Sequence, residues 1–225
     1  MKKIIYITTI FFCVIMYANA QEVSSTFDPN EEFKPYWNFG IKQGVNYSMA
    51  FFNPSIDQSP TFGYTGGLVY KYQNQRMVGL QLELNYTQKG WTENLAETGN
   101  SYNRKMAYVE LPLITHIVFG QKTLKYHINL GTTFAYLISE KEDYNVVDEL
   151  YRKEYYGTEI EKKFDYSGLG EAGVVYNSKI GEFQAGVRFQ WTLTDLFETS
   201  SETTFDKTQN AILSFAVTYF IFSNK

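Results

Sequence analysis

The sequence predicts an all-β chain, an eight-stranded antiparallel up-and-down transmembrane β-barrel with a polar lumen, short periplasmic turns and longer external loops. Three observations predict it. Segments of about 10 to 14 residues alternate with a period of two, apolar on one side and small or polar on the other. The connections between them alternate short and long without exception, the habit of outer-membrane barrels. Phe, Trp and Tyr make up 18 % of the chain with only 5 Pro, and nothing after residue 20 is apolar for long enough to be a membrane helix.

The elements follow in order. Residues 1–20 read as a cleaved signal peptide: Lys2 and Lys3, an apolar run from Ile4 to Tyr17, then Ala18-Asn19-Ala20 as a small-x-small cleavage site. A run of about 14 residues is too short to cross a bilayer core, which needs roughly 20. Residues 21–36, polar and holding Pro29 and Pro35, form a periplasmic lead-in. The barrel itself is expected over 37–222. The third strand, 77–89, is the clearest: Val78, Leu80, Leu82, Leu84 and Tyr86 alternate with Gly79, Gln81, Glu83, Asn85, Thr87 and Lys89. The fourth (107–119), fifth (124–139) and seventh (183–194) repeat the rule, the fifth setting Leu130 and Phe134 against His127, Asn129 and Ser139. The first, second, sixth and eighth follow it more weakly. Short turns fall at 73–75, 120–123 and 177–182, long loops at 49–61, 90–106, 140–163 and 195–209. The loop 140–163 is the one expected to carry structure of its own.

Face polarity decides between a membrane barrel and a soluble lipocalin-like carrier, which would hold its apolar face inside. Here the polar face carries Lys42, Lys71, Glu83, Glu110, His116, His127, Asp165, Glu171 and Arg188. Burying these in a dry core costs several kcal/mol for each unpaired ion, roughly, whereas a polar lumen tolerates them. The apolar face therefore meets lipid. Trp37, Tyr47, Tyr72, Tyr86, Trp91, Tyr136, Tyr176 and Tyr219 fall near strand ends and are expected in the aromatic girdles. The lumen charges are expected to form a network that closes the barrel, with Glu83, Glu110 and Glu171 balancing Lys42, Lys71 and Arg188. Eight strands leave room only for side chains, so an open porin is excluded.

The segments Gly40-Ile41-Lys42-Gln43-Gly44-Val45-Asn46-Tyr47-Ser48, Glu83-Leu84-Asn85-Tyr86-Thr87-Gln88-Lys89-Gly90 and Tyr108-Val109-Glu110-Leu111-Pro112-Leu113 resemble the PorT-like outer-membrane β-barrel family of Bacteroidota. Ile128-Asn129-Leu130-Gly131 and Leu193-Thr194-Asp195-Leu196-Phe197 agree. The resemblance covers roughly 37–222 and implies an outer-membrane barrel, mostly of undefined role, whose founding member is associated with type IX secretion. One departure is the tail: assembly-competent barrels usually end on an aromatic, while Phe222 precedes Ser223-Asn224-Lys225 and falls out of phase with the lipid-facing residues.

Little in the sequence points to chemistry. Cys13 lies in the signal, so the mature chain has no thiol. Removing Lys2 and Lys3 leaves 18 basic against 24 acidic residues, a net charge of −6, which excludes a nucleic-acid partner. His116 and His127 are the only histidines. They are expected near each other, low in the barrel, the wrong end for an enzyme acting on outer-leaflet lipid, and metal binding with Glu110 as third ligand is the minor alternative. The expectation is a non-enzymatic barrel of the bacterial outer membrane without a cofactor. Its partners are outer-membrane lipid, the barrel assembly machinery, and secretion-system or surface proteins.

Overall fold

The computed structural model of the chain describes residues 33–53, 58–95, 100–120, 123–145, 156–157, 159–160, 162–194 and 207–224. The signal at 1–20 and most of the lead-in at 21–36 lie outside these residues, as does half of the loop 140–163.

Eight antiparallel strands close on themselves in sequence order, β1 pairing with β8. They are β1 (Tyr36–Asn53), β2 (Gln58–Gln73), β3 (Val78–Leu95), β4 (Asn100–Phe119), β5 (Leu124–Asn145), β6 (Phe164–Ser178), β7 (Gly181–Thr192) and β8 (Lys207–Ser223). Closure satisfies every sheet edge, a requirement in a bilayer that offers backbone groups no water. The alternation sets the faces. Leu82, Leu130 and Phe189 are exposed at 41 %, 54 % and 50 %, whereas Glu83 and Arg188 are 1 % and 5 % exposed. An apolar band thus surrounds a polar interior, the reverse of a soluble barrel.

Several expectations need correction. The long-loop segments 49–53, 58–61, 90–95, 100–106, 140–145 and 207–209 are strand, since the ladders run on past the lipid band: Leu95 pairs Asn100 and Ser101 pairs Asn145. Above the lipid the outer face meets water and the inner face packs aromatics, so apolar residues no longer mark the outer side there. β7 starts at Gly181, not 183, because the turn 177–182 shrinks to Lys179 and Ile180, with Gly181 taking a φ of 141°.

Two bulges also flip phase. In β5, Ala107 pairs Ser139 and Tyr108 pairs Leu137, so Ile138 is the extra residue. Leu137 points inward at 5 % exposure, and Ser139 points out instead of into the lumen. In β8, Phe39 pairs Phe222 and Gly40 pairs Phe220, leaving Ile221 without a partner. That extra residue turns Phe222 outward, 60 % exposed, so the terminal aromatic does face lipid. Ala107, placed by parity on the lipid side, is buried beside the first bulge.

Candidate functional site

The lumen is filled in tiers. In the central tier, β1, β3, β6 and β7 each send one charged side chain to a common point. The Arg188 guanidinium donates through Nη1 and Nη2 to both Glu83 oxygens (2.9 and 2.7 Å) and through Nε to Glu171 (2.7 Å). Lys42 Nζ lies 3.1 Å from Glu83 and 3.6 Å from Glu171. Gln81 and Asn85, two residues either side of Glu83 and hence on its face, donate to it at 2.7 and 2.8 Å. Asn129 donates to Glu171 at 2.8 Å. Two cations and two carboxylates cancel, and the neutral amides occupy lone pairs the cations leave.

One tier up, toward the external end, Lys89 Nζ is 2.5 Å from Asp165 and 3.8 Å from Glu110, with the Tyr108 ring 3.9 Å below the ammonium. Thr87 and Gln190 also donate to Glu110. Between these two tiers a cavity of about 10 Å³ remains, lined by Lys42, Asn85, Glu110 and Arg188 among others. That is room for about one water.

The periplasmic tier holds Lys71, which pairs with Glu182 and lies over the Phe220 ring at 4.1 Å. His116 and His127 sit diagonally across β4 and β5, their ring centroids 5.6 Å apart. His116 Nδ1 is 2.7 Å from Asn129 Oδ1, and His127 Nε2 is 3.1 Å from Glu171. The facing pair Gly173 and Gly186 leaves space for the His127 ring: a Cβ on Gly173 would meet its Cε1 at 2.6 Å.

All nine residues named from the sequence therefore line the lumen and are buried. Their partners differ from the balanced set of three acids and three bases. Lys71 pairs with Glu182, which the sequence places in a turn, and Glu110 pairs with Lys89, which it places on the polar side but not among the lumen charges. Glu110 stands a tier away from the histidines and does not join them. Among the described residues no group of three or more His, Cys, Asp or Glu side chains could hold a metal ion.

The external mouth is built differently, and sequence reasoning missed it. The upward extensions of β3, β4 and β5 form a ribbon whose inner face carries Trp91, Tyr102, Met106 and Tyr108, all buried. Trp91, expected in the lipid girdle, is fully buried inside because it shares parity with Lys89 and Glu93. Tyr156, from the connection after β5, stacks on Tyr102 with centroids 4.0 Å apart and planes 8° from parallel. The backbone around it is tied to carboxylates. Tyr156 donates its hydroxyl to Glu93 (2.9 Å), Gly157 its N–H to Glu142 (2.7 Å), and Ile160 its N–H to Glu140 (3.1 Å). Arg104 lies 2.8 Å from Glu140 and 2.9 Å from Glu142.

A closed barrel with a lipid-exposed apolar belt and an ionic interior is an outer-membrane β-barrel, and this chain resides in the bacterial outer membrane. It belongs to the outer membrane protein beta-barrel domain family, whose model matches residues 19–198. No curated protein matches it in sequence. Similar solved structures include Ail of Yersinia pestis (10 % identity, 83 % of this chain and 99 % of that one, TM-score 0.42). Neisserial surface protein A (13 %, 82 % and 97 %, 0.43) and OprG of Pseudomonas aeruginosa (12 %, 84 % and 93 %, 0.45) are similar in the same way.

Proposed function

We propose that this is a closed, non-enzymatic barrel that acts at the outer face of the envelope through the β3–β5 ribbon and its loops. The observation that carries the reading is the double seal, an ion network at mid-depth beneath an aromatic mouth into which Tyr156 and Ile160 pack. Such a lumen supports neither a pore nor entry of a substrate, and the exposed material above the lipid is what remains to meet a partner. The PorT-like motifs favour a partner within an envelope or secretion assembly. Delivery by a signal at 1–20 and insertion by the barrel assembly machinery belong to the same proposal.

Planar-bilayer recording of the refolded protein tests the seal. The expected outcome is no steady unitary conductance, and a stable ohmic channel overturns the reading. The enzyme alternative has its own check. Membranes carrying the H116N/H127N variant should keep an unchanged lipid profile, and an altered one would favour lipid-modifying chemistry.

A further inference from the structure

The outer surface of the ribbon changes chemistry where it leaves the lipid. On β4 the exposed series Leu113, Leu111, Val109 ends, and the next exposed side chain is Lys105. On β5, Tyr136 and Ile138 give way to Ser139 and Lys141. Lys105 and Lys141 are direct partners in the β4–β5 register, next to the pair Asn103 and Asp143. These four line a surface cavity of about 100 Å³.

Like charges directly opposite on an antiparallel pair repel. Among the described residues neither lysine makes an ion pair, and of the four residues lining the cavity Asp143 offers one carboxylate against two ammonium groups, while Glu140 and Glu142 are taken up by Arg104. Its height is telling. Lys105 lies four residues beyond Val109, about 13 Å along the strand and about 10 Å along the bilayer normal at the usual tilt. The polar layer outside the hydrocarbon is about 5–8 Å deep on each side, and lysine stems bend along apolar surface to place their amines within it.

We propose that Lys105 and Lys141 form a site for the phosphate of an anionic outer-leaflet lipid, bridged between the two amines. The phosphate relieves their repulsion while the acyl chains lie on the belt below. The inference rests on the orientation of the barrel in the outer membrane and not on the ribbon's role toward a protein partner.

The test uses the full folded protein in nanodiscs of phosphatidylcholine alone, or with a minor share of phosphatidylglycerol or of phosphorylated lipid A. Lipid retained by the barrel is measured by native mass spectrometry. The wild type should retain at least one anionic lipid above phosphatidylcholine, and which one identifies the source. K105Q/K141Q should lose about 30-fold in that preference, at about 1 kcal/mol for each lysine near the surface. The single variants should each lose part of it, and K34Q, at the periplasmic end, should match the wild type. Heat-modifiable migration on a gel reports that each variant is folded. No preference in the wild type, or a preference that K105Q/K141Q leaves intact, overturns the proposal.

Discussion

The mid-lumen and the mouth of this barrel are both tightly filled, yet different forces hold them. At mid-depth, Lys42, Arg188, Glu83 and Glu171 meet with all charges cancelled, and the protection lies in mutual dependence: removing one ion strands the others. At the mouth, Trp91, Tyr102, Met106 and Tyr156 pack as a small hydrophobic core, into which buried Glu93 and Arg104 are tied by hydrogen bonds and ion pairs. An apolar cluster fails gradually, by the volume removed. The contrast follows from what lies outside each level. Where lipid covers the exterior, the apolar residues face it and the polar ones turn inward. Where water covers the exterior, Lys141 and Asp143 stay outside and aromatics take the interior.

Breaking this comparison should have its largest effect in the ion network. Glu83→Gln leaves Lys42 and Arg188 with one carboxylate between them and should cost about 3–5 kcal/mol in urea unfolding from vesicles. Replacing the whole set by apolar residues of similar volume should cost far less, which separates a stranded charge from lost packing. At the mouth, Trp91→Ala should cost about 3 kcal/mol by the same measurement, with the central tier unaffected. On the lipid face, Leu130→Arg should cost about 2–4 kcal/mol near the midplane, while the same change in a soluble barrel's exposed position would cost almost nothing. The smallest effect is expected for Tyr156→Phe. It keeps the stack on Tyr102 and loses the bond to Glu93, for about 1 kcal/mol, read from the same unfolding curves.

How far the sequence could be read tracks the same boundary. Inside the lipid band a residue's parity determines its surroundings, so the faces of β3 and β5 and the burial of Glu83, Glu171 and Arg188 are legible from alternation alone. Parity is blind to an inserted residue: the bulges at Ile138 and Ile221 invert everything beyond them, which is why alternation alone puts Ser139 and Phe222 on the wrong sides. Above the lipid the outer face turns polar and the inner face aromatic, so the rule of apolar outside and polar inside lapses and the segments 90–95 and 100–106 read as loop. Trp91 could have been placed inside by continuing the odd-numbered series from Glu83 through Lys89. The pairing of Lys71 with Glu182 had no local signal, because β2 and β7 are brought together only by closure of the barrel.

The central claim is that side chains of opposite parity meet lipid and lumen respectively, and the chain's own tryptophans test it most directly. Trp191 flanks Phe189 on the outer side, while Trp91 is fully buried inside. In vesicles of brominated lipid, a W37F/W91F variant should show strong quenching of Trp191, and a W37F/W191F variant should leave Trp91 nearly unquenched. Strong quenching of Trp91 together with none of Trp191 would contradict the account.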